Sequence, residues 1–263
     1  MVKRILWSLS FMLFAFAAFA QATKADKLKA YYKQFLEYSA YNEFNNMDSA
    51  THYRDLFREE IISGIKQNAT ASLNALGILA KLESGLQFHK TADGQLYSIC
   101  WDDQSGGTMR NFEGLYVYHN GAAYVTESIH PVTDEFATAA NVYALYQLTT
   151  TKGKAIYLQF EYIQASTALY RYTVSTLSID KGKLNRSAKY IKTSSGLQHS
   201  INYGLDWSEK VNRDRGELNI LQGLIYDAPR KQFSFPLIHQ DGTISTKRIK
   251  YGFKGNYFEL MRS

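Results

Sequence analysis

The hydrophobic period of the chain changes once, near Gly85, and that change limits what can be built on either side of it. Before it, Leu28, Tyr31, Tyr32, Phe35, Leu36 and Tyr41 recur at three- and four-residue steps from Asp26 to about Asn45. This spacing predicts an amphipathic helix with Lys27, Lys29, Lys33 and Glu37 on its other face. A second helix is expected to carry the stripe Tyr53, Leu56, Phe57, Ile61 and Ile65, capped by Ser49 or Thr51 and weakened at its end by Gly64. A third, shorter one runs from Ala71 to Leu82, with Gly85 as its stop.

After Gly85 the period is 2 and turn signals recur. Asp93-Gly94, Asn120-Gly121, Lys152-Gly153-Lys154, Asp180-Lys181-Gly182-Lys183, Asp241-Gly242 and Lys254-Gly255-Asn256 each separate strand-like runs. Ile156, Leu158, Phe160 and Tyr162 alternate with Tyr157, Gln159 and Glu161, and Phe233, Phe235 and Leu237 with Gln232, Ser234 and Pro236. Such runs predict half-buried antiparallel strands joined by hairpins. The expected fold class is α+β: N-terminal helices over 23–85, then a larger antiparallel β meander over 86–263. The first four turn signals recur about every 30 residues, which keeps a propeller-like array as the less favoured arrangement.

Residues 1–20 predict a cleavable signal peptide: Lys3 and Arg4, an apolar run from Ile5 to Phe19, and a small-x-small site at Ala18-Phe19-Ala20. The run is shorter than the roughly 20 apolar residues a membrane span needs. Export to the periplasm or beyond is therefore expected, with no membrane span in the mature chain. Removing the leader leaves 28 basic against 24 acidic residues, a charge of +4 that is too dispersed for a nucleic-acid footprint. Cys100 is the single cysteine, so no internal disulfide can form, and its apolar neighbours predict a buried, inert thiol.

The segment Trp101-Asp102-Asp103-Gln104-Ser105-Gly106-Gly107-Thr108 is the most distinctive local feature. Read functionally, it is a loop presenting Asp102 or Asp103, Thr108 and Arg110 to a ligand beside Trp101 as an aromatic platform. Read structurally, it is a hairpin whose Asp and Ser side chains bond the turn backbone while Gly supplies positive φ. Tyr170 and Tyr172 share a strand face with Val174, and a row of such rings facing water would give a binding surface. Cross-strand pairing that stabilises the sheet is the favoured account of them.

Leu96-Tyr97-Ser98-Ile99-Cys100-Trp101-Asp102, continued by Gly106-Gly107-Thr108-Met109, resembles a segment of uncharacterised exported proteins of Bacteroidetes-type bacteria. The C-terminal Ile225-Tyr226-Asp227, Phe233-Ser234-Phe235-Pro236 and Gly255-Asn256-Tyr257-Phe258-Glu259 are similar to the end of such proteins. The resemblance covers about a quarter of the chain. It implies export and a bacterial source and carries no catalytic residue across.

Enzyme signatures fail on their context. Ser63-Gly64-Ile65-Lys66 fits Ser-x-x-Lys but falls at a helix end rather than a start. Asp206 to Glu217 has acids at both ends of a calcium loop, but Lys210 removes a ligand and Val211 stands where the loop needs Gly. The six histidines, His52, His89, His119, His130, His199 and His239, show no compact ligand spacing. No metal, cofactor or catalytic residue is assigned. The leading expectation is a non-catalytic binding protein whose partner is a protein or glycan of the cell envelope. The alternatives are an envelope hydrolase using Asp102, Asp103 or Glu113 with a distant histidine, and an immunity-type partner of a secreted toxin.

Overall fold

The computed structural model describes residues 25–130, 140–208, 212 and 223–261. The predicted leader and most of the tested calcium-loop segment lie outside them. The chain divides into two compact units: one runs up to Phe88 and includes Tyr124–Thr126, and the other comprises His89–Ala123 with Glu127 onward.

Among the described residues the helical unit holds two helices rather than three. Residues 25–38 form α1, with Leu28, Tyr32 and Phe35 fully buried. Tyr41, placed in that stripe by its spacing, lies beyond the helix end and is 44% exposed. Helix α2, Met47–Leu82, merges the second and third predicted segments across a kink at Asn68 (φ −155°, ψ 88°). Asn68 acts as an internal cap: its Oδ1 accepts from the Ala71 amide at 3.1 Å, and its carbonyl accepts from Ser72 Oγ at 2.9 Å. At the start of α2 the cap is Asn46, whose side chain accepts from the Ser49 amide, so neither Ser49 nor Thr51 fills that role. Gly64 is buried mid-helix. A Cβ at Gly85 would sit 2.9 Å from the Tyr32 hydroxyl, so a larger residue there would have to displace the end of that side chain.

The remainder is sheet-rich and mostly antiparallel. Strands β1 (Leu86–Lys90), β2 (Leu96–Asp102), β3 (Phe112–His119) and β4 (Tyr124–Ser128) form a four-stranded sheet in chain order. Strands β5 (Asn141–Thr149), β6 (Ala155–Gln164), β7 (Leu169–Asp180) and β11 (Ser200–Asp206) form a second sheet in the order β11-β7-β6-β5, with β8 (Lys183–Asn185) pairing β7. A third sheet runs β10-β9-β15-β14-β13-β12, from β9 (Ile191–Thr193), β10 (Gly196–Gln198), β12 (Ile225–Asp227), β13 (Gln232–Ile238), β14 (Ile244–Phe253) and β15 (Phe258–Leu260). All six turn signals lie between paired neighbours. The meander pattern holds within runs of neighbouring strands and is broken by the β7–β11 pair and the parallel β9–β15 pair.

The second and third sheets share a core of Leu158, Phe160, Tyr172, Val174, Phe233 and Phe258 with their neighbours. Strand β6 departs from the half-buried pattern: Ile156, Leu158 and Phe160 are buried, and so are Tyr157 and Gln159 on its other face. The first sheet accounts for this, because Tyr116 Oη on β3 donates to Gln159 Oε1 at 2.7 Å and Tyr157 Oη donates to Asp93 Oδ2 at 3.0 Å. A second packed layer turns an alternating strand into one with two buried faces.

Candidate functional site

The β2–β3 hairpin extends one pair past its strands, where the Asp103 amide donates to the Asn111 carbonyl at 2.9 Å. Beyond that pair the two aspartates divide the work of holding the loop. Asp102 Oδ1 accepts from the Gln104 amide at 2.8 Å, and Oδ2 accepts from Arg110 Nη1 at 3.1 Å. Asp103 Oδ1 accepts from the Ser105 amide (2.9 Å) and hydroxyl (2.7 Å), and Oδ2 accepts from Asn111 Nδ2 at 2.7 Å. These are consecutive Asx turns, the local chemistry that an Asp-Asp-x-Ser run favours.

The expected positive φ falls on Gln104 (+60°) rather than on either glycine. Gly106 is needed for a close approach instead: a Cβ there would lie 1.9 Å from the Met109 carbonyl oxygen. Burial pushes the Asp102 carboxyl above its usual range, against the Gln104 amide and the Arg110 guanidinium, which favour its charged form. What the loop presents to solvent is Ser105, Gly107, Thr108 and Met109, the last 49% exposed.

Two further loops are tied to this one. The Arg110 amide donates to the Gln164 carbonyl at 3.1 Å, and Gln164 Nε2 donates to the Thr108 carbonyl at 3.1 Å. In the β6–β7 turn, Ser166 Oγ accepts from the Ala168 and Leu169 amides, and the Ala168 carbonyl accepts from the Trp207 amide at 2.9 Å. Asp206 Oδ1 closes the third loop by accepting from the Ser208 amide and hydroxyl. Leu169 is 39% exposed, and Thr167 and Ser208 are exposed beside their turns.

The structure thus brings Asp102, Asp103, Thr108 and Arg110 into one loop and places the aromatics elsewhere. Trp101 is fully buried, so it offers no platform to solvent. The tyrosine row is corrected in the same way: Tyr170 (3% exposed) and Tyr172 (0%) face the shared core, and Leu169 and Arg171 are the exposed positions of that strand. Rings of Phe112, Tyr162, Tyr170 and Tyr172 follow one another at centroid separations of 5.7, 6.0 and 6.3 Å, running from the base of the loop into the core. Cys100 is buried, and burial pushes its thiol up to about 12. Among the described residues, neither Asp102 nor Asp103 bonds a histidine, and no group of three or more His, Cys, Asp or Glu is placed to hold a metal ion.

A second polar group escapes sequence reasoning. Tyr116 Oη, Gln159 and Glu161 form a chain in which Gln159 Nε2 donates to Glu161 Oε2 at 2.8 Å. Arg186 lies over the Tyr116 ring at 5.1 Å and donates to the Ser128 carbonyl at 3.2 Å. Burial pushes the Glu161 carboxyl up, while Gln159 and Arg186 hold against it. Nothing in the sequence points to it, because Gln159 and Glu161 read there as the solvent face of an alternating strand. The contact itself joins residues 43 positions apart.

His89 sets an acid limit on stability. Burial pulls its imidazole from 6.5 down to about 4, against a backbone bond at Val142 that favours the charged form. The unfolded chain takes up this proton first, so the contribution is full above pH 6.5 and is lost as pH falls through about 4. Glu161 works in the opposite sense: its folded carboxyl protonates above 4.5, so acidification there favours the folded state. Urea titrations across this range should show wild type losing up to about 3 kcal/mol more than His89→Gln. Parallel curves would show that the imidazole is not held neutral.

No protein-family model matches the chain, and no curated protein sequence matches it.

Proposed function

We propose that this is an exported α+β protein that acts in the periplasm or at the cell surface as a non-catalytic binding protein, engaging a protein or glycan of the cell envelope. Its recognition surface is the cluster of loops at 104–109, 166–169 and 206–208. One observation carries this reading: the exposed residues of the 104–109 loop sit on a backbone already fixed by two buried or half-buried carboxylates. A loop ordered before its partner arrives avoids the entropy cost of ordering on binding. Met109 and Leu169 supply apolar contact, and Ser105, Thr108 and Thr167 supply hydrogen bonds around them.

The hydrolase reading draws little support from Asp102 and Asp103, because each spends both carboxylate oxygens on its own loop. A toxin-neutralising role would use the same loop surface and differ only in the partner. No helix among the described residues is long and apolar enough to cross a membrane.

The test is capture from an envelope fraction and from a glycan array by immobilised protein, with surface variants side by side. Met109→Asp is expected to lower recovery of the partner about tenfold, which corresponds to about 1.4 kcal/mol. Ile225→Asp, at an exposed position of β12, should leave recovery unchanged. Equal recovery by both variants would remove the loop cluster from consideration.

A further inference from the structure

Asn120-Gly121 is the one Asn-Gly pair in the chain, and the turn it makes between β3 and β4 brings a nucleophile, an electrophile and a base together. The Gly121 amide donates to His119 Nδ1 at 3.2 Å, an arrangement that requires the neutral imidazole with its proton on Nε2. Asn120 Oδ1 accepts from the Ala122 and Ala123 amides at 3.0 and 2.9 Å. The Asn120 amide donates in turn to the Ala123 carbonyl at 2.9 Å, which closes the turn on itself. Gly121 is exposed at φ +100°, and nothing lies within 4 Å of the place a Cβ would take.

Each contact has a part in acyl transfer. A base in hydrogen-bond reach of the proton it removes can activate the backbone nitrogen. Two amides on a carbonyl oxygen are the donors that stabilise an oxyanion when that carbonyl is attacked. The covalent link between Asn120 and Gly121 keeps nitrogen and side-chain carbonyl close, so no binding step is needed. Asn46, Asn68 and Asn185 also accept a backbone amide through the side chain, but Met47, Ala69 and Arg186 follow them. A Cβ on the following residue crowds the attack that glycine leaves open.

We infer that Asn120 is a site of self-catalysed deamidation, with His119 as the base. Nδ1 takes the Gly121 amide proton as that nitrogen attacks Asn120 Cγ. A C–N bond forms, and the carbonyl electron pair moves onto Oδ1, where the Ala122 and Ala123 amides hold it. Collapse breaks the Cγ–Nδ2 bond, the imidazolium returns its proton to the leaving nitrogen, and ammonia departs from a cyclic imide. Solvent water then opens the imide at either carbonyl to give aspartate or isoaspartate. Opening to isoaspartate routes the main chain through the side-chain carbon and displaces the Asn120 carbonyl. Gly182, in the β7–β8 turn, is packed so closely on that carbonyl that a Cβ there would overlap its oxygen. The neighbouring hairpin therefore feels the change. The site shares no residue with the loop cluster.

The test is incubation of the purified protein in neutral buffer, folded and in concentrated urea, with peptide mapping of Asn120 conversion over time. Folded wild type should convert several-fold faster than the unfolded chain, to both aspartate and isoaspartate, while Asn46, Asn68 and Asn185 stay intact. His119→Gln should slow the folded protein at least about tenfold, the modest end of what a positioned base contributes, and leave the rate in urea unchanged. Near-ultraviolet circular dichroism checks that this variant is folded. The comparison of folded with unfolded wild type decides the matter without it. Conversion no faster in the folded protein than in urea, equal folded rates for wild type and His119→Gln, or aspartate formed without isoaspartate would each overturn the assignment.

Discussion

Phe233→Ala is expected to lower the unfolding free energy by about 3–5 kcal/mol, the usual range for deleting a buried aromatic ring. The ring is fully buried. It stacks on Tyr251 at 5.1 Å, meets Phe258 edge-on at 5.0 Å and reaches Phe160 at 6.5 Å. Tyr251 and Phe258 belong to its own sheet and Phe160 to the facing one, so its loss opens a void between layers rather than a dent in one surface. Domains of ordinary size have about 5–15 kcal/mol in total, so the change takes a large share of the margin. Urea unfolding followed by near-ultraviolet circular dichroism reads it directly. Phe233→Leu should cost clearly less, since part of the volume is refilled. A midpoint unchanged by Phe233→Ala would mean that the two sheets do not depend on this contact.

The second large effect is expected at Asp103. Asp103→Ala strips the acceptor from two Ser105 donors and from Asn111 Nδ2, in a loop where Asp103 itself is only 7% exposed. Bonds to a charged acceptor are worth about 1.5–3 kcal/mol each, but Ser105 is exposed and regains water, so a net loss of about 3 kcal/mol is expected. On the recognition surface proposed above, the 104–109 segment without this carboxylate would be ordered only on binding, and affinity should fall even though none of the proposed contacting side chains has changed. Amide exchange at Ser105 compared between wild type and variant is the readout. Unchanged protection would show that Asp102 alone holds the loop.

Local features of the fold were legible because their causes are local. The glycines of the six turn signals adopt the positive φ that such turns need, and the Asp102-Asp103 segment folds on itself by Asx bonding between near neighbours. The helical stripes were legible for the same reason, although the two segments either side of Asn68 join into one kinked helix. Orientation was not legible. Alternation in β7 separates Tyr170 and Tyr172 from Leu169 and Arg171, but which set meets water depends on a sheet contributed by residues about 60 positions further along the chain. Trp101 was misplaced for a related reason: its strand is buried on both faces from Leu96 to Trp101, so neighbouring polarity said nothing about its exposure. The Tyr116–Gln159–Glu161 chain was invisible because no spacing rule connects separate sheets.

The position of β15 has a consequence for how the molecule is assembled. In the third sheet it lies between β9 and β14, so a strand late in chain order forms the seam between strands made earlier. Lys192 and Glu259, 67 residues apart, meet across that seam. During synthesis the β9–β10 hairpin emerges with its future neighbour still unmade, and closing so long a loop is slow compared with forming the hairpins on either side. The third sheet is therefore two runs of sequence-adjacent strands, β9–β10 and β12–β15, and the short segment Phe258–Leu260 is the seam at which they join.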